Sequence, residues 1–323
     1  MRPEAALPGN PVIIAVSKEL DGRYVSAIEA VDPRVRVARV SDRKSWLAEA
    51  PEAEIILAFR PLREGVLRSR RLRWVHALGA GVENLSQDVV GTDVIISNNH
   101  LHGDAIADHV FAFVLAHTRR MPAAYERQRA RCWVHDELVG TVLAGTTMGI
   151  LGLGTIGSAV ARRARAFGMR VIGTKRRPAP LEGVEQVLPP ERTDAVLREA
   201  AVLVVSLPLT KATRGIVGAR EIDLLPRGGF LVNVGRGGLV DEDALLAALR
   251  RGHLAGAGLD VFAQEPLPAD SPLWTAPGMI ITPHVSGDQP GYMARVTAIF
   301  CENLRRYLAG QPLLNVVDPA LGY

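Results

Sequence analysis

Met148-Gly149-Ile150-Leu151-Gly152-Leu153-Gly154-Thr155-Ile156-Gly157 is a short apolar run ending in three glycines spaced G-x-G-x-x-G. The run reads as a buried strand, and Ser158 to Phe167 after it reads as an amphipathic helix. A glycine triplet at this spacing carries little information alone. Placed between a strand and a helix, it is the turn that binds a dinucleotide. Gly152 permits the tight turn, Gly154 lets backbone approach a pyrophosphate, and Gly157 lets the helix pack close on the strand. The N–H groups of the helix start, near Thr155 and Ile156, then face the anion.

The next strand is expected at Arg170–Thr174. Folds that prefer NAD usually place Asp or Glu near its end, to accept from the ribose 2′-hydroxyl. Here the chain reads Gly173-Thr174-Lys175-Arg176-Arg177. A carboxylate would repel a 2′-phosphate, whereas Thr174, Lys175 and Arg176 can donate to one. NADP(H) is therefore the expected cofactor, with NAD(H) as the alternative.

The strand–helix alternation extends in both directions. Downstream, strands are expected at Val202–Leu207, Phe230–Val234, Ala257–Val261 and Met279–Thr282, then a closing helix at Pro290–Leu308. Upstream, they are expected at Pro11–Val16, Val35–Val40, Glu54–Phe59, Trp74–Leu78 and Asp93–Ile96, with helical patterns at Tyr24–Ala30 and Lys44–Glu49. Such alternation implies parallel sheets covered on both faces, so the fold class is α/β with two doubly wound sheets. Between the halves, Ile106, Val110, Phe113, Val114 and His117 recur at helical spacing up to Pro122. That face is broad for a surface helix, so it is expected to bridge domains or meet a partner chain in a homodimer.

The bulk properties agree. The chain has 323 residues, enough for two cores, and 48% of them are hydrophobic. The only cysteines, Cys132 and Cys301, have no ligand spacing, which argues for a reducing compartment and against a metal. Residues 1–10 have no apolar leader run, and no stretch approaches the roughly 18 apolar residues of a membrane span, so a cytoplasmic protein is expected. The net charge of +4 is carried mostly by scattered Arg, with 5% aromatic residues, a pattern unlike a nucleic-acid surface.

Three residues share one placement, just after a strand at the carboxyl edge of the second sheet. They are Arg236, Glu265 and His284. Reduction of a 2-keto acid needs a fixed cation for the carboxylate and the polarised carbonyl, which suits the guanidinium of Arg236. It needs a proton donor for the forming alkoxide, which suits His284. A carboxylate beside the imidazole, Glu265, would fix its tautomer. Taken singly, each could be a surface charge, a loop carboxylate or a strand-end cap; together they form a site. His76, His109 and His117 fall inside apolar patterns and are expected to be packed or hydrogen-bonded. His100 and His102 lie beside the long helix without further metal ligands. Arg60 is expected at the surface.

The strings GLGTIG (152–157), LPLTKATRG (207–215), NVGRGGLVDEDAL (233–245), GAGLDVFAQEPLP (256–268) and TPHVSG (282–287) resemble the D-isomer-specific 2-hydroxyacid dehydrogenase family. Leu78-Gly79-Ala80-Gly81-Val82-Glu83-Asn84 resembles its substrate-domain loop, so the resemblance spans nearly the whole chain. It implies that Arg236, Glu265 and His284 are catalytic, that Asp260 contacts the nicotinamide carboxamide, and that Pro208 lies beside the adenine. It implies that backbone amides of the 79–82 loop, at Ala80 and Gly81, hold the substrate carboxylate together with Arg236. Lys175 stands where NAD-using members carry Asp. The family's fold is a Rossmann cofactor domain inserted in a flavodoxin-like split substrate domain, here expected as 104–286 within 1–103 and 287–323. Asn99-His100 departs from the family's frequent Pro-Gly pair. The implied function is hydride transfer between NADP(H) or NAD(H) and a small 2-keto acid/D-2-hydroxy acid pair, of glyoxylate/hydroxypyruvate type. Phosphoglycerate, formate or phosphite as substrate, or a non-catalytic corepressor-like dinucleotide sensor, are the other readings; the complete trio favours catalysis.

Overall fold

The structure is a computed structural model that describes residues 12–17, 20–59, 69–82 and 92–318. Arg60, Glu83 and Asn84 lie outside the described residues, as do residues 1–11. The chain divides into two compact units, one of residues 1–101 with 289–323 and one of residues 102–288.

In the first unit the strands are β1 (Val12–Ser17), β2 (Val35–Val40), β3 (Ile55–Ala58), β4 (Trp74–Ala77) and β5 (Ile95–Ser97). They pair in parallel in the order β2-β1-β3-β4-β5, the flavodoxin-like arrangement. Strands buried on both faces become nearly continuous apolar runs, as β3 and β4 are. Helices α1 (Gly22–Glu29) and α2 (Arg43–Glu49) accompany the sheet. The final helix, α9 (Tyr292–Leu308), returns to it: Phe300 and Tyr307 stack on Trp74 at 5.0 and 5.7 Å between ring centroids. Tyr307 also donates to Glu54 at 2.6 Å, and burial pushes its phenol pKa up.

The second unit opens with α3 (Gly103–Thr118) and α4 (Met121–Arg129). The expected single helix up to Pro122 is thus broken, because Arg120 takes a left-handed backbone (φ 56°) and Pro122 starts a new helix. Ile106, Val110, Phe113 and Val114 are buried in the core of their own unit. They pack with α5 (Thr155–Ala166) and with strands of the second sheet. The apolar residues on which a partner chain was expected are therefore buried within their own unit.

The second sheet is all parallel: β6 (Thr147–Leu151), β7 (Arg170–Thr174), β8 (Gln186–Leu188), β9 (Val202–Val205), β10 (Gly229–Asn233), β11 (Leu254–Leu259) and β12 (Met279–Ile281). Its order is β12-β11-β10-β9-β6-β7-β8, so the direction of winding reverses between β6 and β9, where doubly wound folds bind ligands. Met148 and Ile150 face one core while Leu151 faces the other, beside Leu203 and Leu231. Helices α6 (Thr193–Glu199), α7 (Ala219–Leu224) and α8 (Glu242–Arg250) complete this unit.

Candidate active site

The glycine turn between β6 and α5 shows which glycines serve packing and which do not. A Cβ on Gly157 would lie 2.2 Å from the Gly152 carbonyl oxygen, so the close approach of helix and strand requires glycine there. Gly152 has φ 100°, a left-handed conformation that also favours glycine. A Cβ on Gly154 would meet nothing within 4 Å, so its lack of a side chain serves no internal contact. It leaves backbone accessible to an approaching group. Gly154 caps α5 without a side-chain hydrogen bond, which leaves the N–H groups of Thr155 and Ile156 for an anion. These residues fit a dinucleotide pyrophosphate.

Ser206 Oγ donates to the Gly152 carbonyl at 3.0 Å and so ties the end of β9 to the glycine turn. Pro208, two residues further, is half-buried, and its carbonyl accepts from Thr213 Oγ1 at 2.6 Å. At the end of β7, Leu153 N–H donates to the Thr174 carbonyl at 2.8 Å, which brings this position beside the same turn. Thr174 is buried, Lys175 half-buried and Arg176 exposed. The end of this strand carries no carboxylate.

Beyond β10 the loop is shaped by Asn233, which is 1% exposed. Its Nδ2 donates to the Arg236 carbonyl at 2.9 Å, and its Oδ1 accepts from Gly235 N–H at 3.1 Å. The guanidinium of half-buried Arg236 donates to the Gly235 carbonyl at 2.8 Å. A Cβ on Gly237 would come 1.8 Å from the Phe262 carbonyl carbon. Only glycine there lets the Arg236 loop lie against the loop after β11.

That second loop carries Glu265, whose two oxygens divide the work. Oε1 accepts from Phe262 N–H at 3.0 Å and fixes its own loop; Oε2 accepts from His284 Nδ1 at 2.7 Å. Glu242, at the start of α8, accepts from Ala263 N–H at 2.6 Å, and burial raises its pKa. With Nδ1–H given to Glu265, the second ring nitrogen of His284, Nε2, is left to exchange a proton, and its side chain is 40% exposed. His284 also has φ 57°, a costly backbone conformation for a non-glycine residue, of the kind that clusters at functional sites.

Asp260 is fully buried, and both of its oxygens are engaged inside the protein. Oδ1 accepts from Thr282 Oγ1 at 2.6 Å and Val285 N–H at 2.9 Å, and Oδ2 from Ser286 N–H at 3.0 Å. Its carboxylate thus shapes the His284 loop, a role the sequence did not suggest. His102 joins the same loop from the start of α3: its Nδ1 lies 3.2 Å from the Gly287 carbonyl and donates to it. Burial lowers the His102 pKa, the bond to Gly287 opposes that, and the positive charge of Arg236 adds to the lowering. His109 and His117 are bonded and stacked as expected, to Thr282 and on Phe230.

In the first unit, the loop after β4 is held by its carbonyl oxygens. Leu78 O accepts from Asn99 Nδ2 at 2.6 Å and from the hydroxyl of Tyr292; Ala80 O accepts from Asn98 Nδ2 at 2.6 Å. In a planar trans peptide the N–H points opposite to the carbonyl, so Gly79 N–H and Gly81 N–H are turned the other way. Gly79, Ala80 and Gly81 are half-buried, and their N–H groups have no acceptor among the described residues. Backbone N–H groups left unbonded in a short loop can form a nest for an anion. Asn98 and Tyr292 carry no motif, and the sequence offered no signal for them; Asn99 stood out only as a departure from the family's pattern. Among the described residues there is no cluster of His, Cys, Asp and Glu fit to hold a metal, and no helix long and apolar enough to cross a membrane.

The model of the D-isomer specific 2-hydroxyacid dehydrogenase NAD binding domain matches residues 111–286. D-3-phosphoglycerate dehydrogenase of Bacillus subtilis (strain 168) is 38% identical over 259 residues, covering 77% of this chain and 48% of that protein. The chain thus spans about half the length of this relative. Glyoxylate/hydroxypyruvate reductase B of Yersinia enterocolitica is 35% identical over 260 residues, covering 78% of this chain and 79% of that one. Among solved structures, a D-isomer specific 2-hydroxyacid dehydrogenase from Xanthobacter autotrophicus Py2, crystallised with NADPH and MES, is similar with a TM-score of 0.86 and 35% identity. The similarity covers 98% of this chain and 100% of that chain.

Proposed function

Since the chain belongs to the D-isomer-specific 2-hydroxyacid dehydrogenase family, we propose that it is an NADPH-dependent reductase of small 2-keto acids, of glyoxylate/hydroxypyruvate type. The observation that carries this reading is the Glu265–His284 pair at 2.7 Å, on the same sheet edge as Arg236 and the glycine turn. Arg236 holds the substrate carboxylate and polarises the carbonyl. Ala80 and Gly81 are assigned to the substrate carboxylate through the backbone N–H groups of their loop. When bound, the reduced nicotinamide supplies the hydride to the carbonyl carbon. The carbonyl electron pair moves to oxygen, and His284 Nε2–H gives that oxygen its proton while Glu265 holds the ring. Gly152, Gly154, Thr155, Ile156 and Gly157 are assigned to the pyrophosphate, and Pro208 to the adenine side. Asp260 serves the nicotinamide end through the loop it shapes.

The absence of a carboxylate after β7, with Lys175 and Arg176 in its place, supports NADP(H) over NAD(H). The test is the initial rate of glyoxylate and hydroxypyruvate reduction with each cofactor. We expect kcat/KM with NADPH to exceed that with NADH at least tenfold; equal rates would remove the 2′-phosphate role from Thr174, Lys175 and Arg176. The identity to a phosphoglycerate dehydrogenase favours D-3-phosphoglycerate oxidation as a second reading, and its turnover in the same assay decides between the two. A homodimer in the cytoplasm is the setting proposed, with Tyr125, Trp133, Val139 and Val142 as its exposed apolar surface. A monomer mass by light scattering would end that part.

A further inference from the structure

The strand ends place His284 at the sheet edge, but they do not hold its backbone in a left-handed conformation. The loop 282–287 is held by side chains from elsewhere. At its start the single hydroxyl hydrogen of Thr282 is given to Asp260 Oδ1 at 2.6 Å. Thr282 Oγ1 lies 2.9 Å from His109 Nε2, and with its hydrogen committed it can only accept there. His109 is therefore the Nε2–H tautomer and acts as the outer donor of a three-member line, His109 to Thr282 to Asp260. The far end of that line accepts the N–H groups of Val285 and Ser286, which flank His284 on its carboxyl side.

His109 is itself fixed. Its ring stands edge-on to Phe113, 4.7 Å between centroids and at 89°, and it lies 3.9 Å from Asp260 Oδ1. The other end of the loop is bonded by His102 through the Gly287 carbonyl. His102 and His109 are seven residues apart at and on α3, which is about two helical turns, so they project from one side of it. A Cβ on Gly287 would come 2.8 Å from His102 Nδ1, so the loop lies directly against this histidine. One side of a single helix thus grips both ends of the loop.

We propose that His109, acting through the hydroxyl of Thr282, is a positioning residue that keeps the His284 ring aligned with Glu265. This rests on the reductase reading for its kinetic consequence, though not for its structural one. Without the Thr282 hydroxyl, Asp260 loses one of its bonds and His109 loses its acceptor, and the start of the loop loses its side-chain anchor while the bonds to Val285, Ser286 and Gly287 remain. His284 then spends less time in the geometry that presents Nε2 to the forming alkoxide. The loss falls on kcat rather than on the KM for cofactor.

The experiment compares Thr282→Val, which removes the hydroxyl at nearly constant volume, with Thr282→Ser, which keeps it. Initial rates give kcat for keto acid and KM for NADPH, and proton NMR gives the low-field resonance of the hydrogen-bonded Nδ1–H of His284. We expect Thr282→Val to lower kcat about tenfold, to change KM for NADPH less than twofold, and to broaden or shift that resonance. We expect Thr282→Ser to restore both. A Thr282→Val protein with wild-type kcat and an unmoved resonance overturns the proposal, as does a Thr282→Ser protein as impaired as Thr282→Val. If Thr282→Val does not fold, His109→Leu and His109→Gln give the same comparison, since the glutamine amide can still donate to Thr282; equal loss in both overturns it. Should the unmodified protein reduce no keto acid, the reductase reading fails, and the resonance in the variants still decides the positioning role.

Discussion

The two units use a parallel sheet in the same way but present different chemistry at its edge. In residues 102–288 the groups proposed to act are side chains at strand ends: Arg236 after β10, Glu265 after β11, His284 after β12. In residues 1–101 the proposed groups are backbone N–H groups of the 79–82 loop, whose carbonyls are held by side-chain amides. A side-chain site needs particular residue types at particular places and so writes itself into the sequence. A backbone site needs only a shape. The shape is set by residues that are remote in sequence and replaceable in principle by any donor of equal reach.

The comparison predicts where single substitutions hurt most. His284→Ala removes the proposed proton donor of the second unit, and we expect kcat to fall about 10²- to 10⁴-fold, the usual contribution of a general acid. Cofactor affinity, measured by fluorescence titration with NADPH, should stay within about twofold, because the glycine turn is untouched. A His284→Ala protein with kcat near that of the parent would remove the distinction between a side-chain unit and a backbone unit.

The same distinction explains what could be read in the chain. The glycine turn, β6, β7 and the placement of Arg236, Glu265 and His284 at strand ends were all readable, because spacing and residue type coincide there. Strand β8 was not expected: Gln186–Leu188 is three residues long at the sheet edge, too short and too polar to give a periodic signal. The break between α3 and α4 hid because Arg119 and Arg120 are ordinary helix formers, and only the left-handed backbone at Arg120 shows the turn. The apolar face of α3 was visible, but not its cover. Hydrophobic spacing says that a face is buried and is silent on whether its own sheet or another chain buries it. Asp260 was readable as a site residue through resemblance alone, and its hold on the 282–286 loop depends on contacts more than 20 residues away in the chain.

A second, smaller effect belongs to the first unit and concerns its core. His76 on β4 is fully buried beside Trp74, and its Nδ1 lies 2.8 Å from Ser97 Oγ. Ser97 Oγ also accepts from Trp74 Nε1 at 2.8 Å, so one hydroxyl joins both rings. Nε2 has no partner among the described residues, and burial pushes the pKa from 6.5 down to about 3. A histidine whose folded pKa is depressed binds its proton more readily when unfolded. Its contribution is therefore intact above about pH 6.5 and is lost as pH falls toward 3. At pH 4.5 the cost is roughly 2–3 kcal/mol. We expect Tm to fall between pH 7 and 4.5, and His76→Leu to flatten that fall; parallel pH profiles for the two proteins would exclude His76 as the source. The second unit has partly buried counterparts in His102 and His117, both lowered chiefly by burial, and they account for a residual slope in the variant.

The smallest effect tests the backbone site itself. Asn98 gives Nδ2 to Ala80 O and its own N–H to Asn315 O at 3.1 Å, while its Oδ1 is buried without a partner among the described residues. Its side chain therefore contributes one bond that matters to the loop, and the rest of the residue is anchored independently. Asn98→Ala frees the Ala80 carbonyl and lets the Ala80–Gly81 peptide rotate, which turns the Gly81 N–H away from its anion-facing direction. The loss of one such bond is worth about 1–1.5 kcal/mol, so KM for the keto acid should rise about five- to tenfold with kcat nearly constant. Asn98→Asp keeps the size but sets an acceptor against the carbonyl, and should raise KM further. Leu78 O has two donors, Asn99 and Tyr292, so Tyr292→Phe alone should do less than either change at Asn98. If all three variants bind the keto acid as the parent does, the loop's shape is held by its own backbone and the amides only fill space. If they rank in this order, the first unit recognises its anion through a conformation, and the residues that determine it are the ones no motif records.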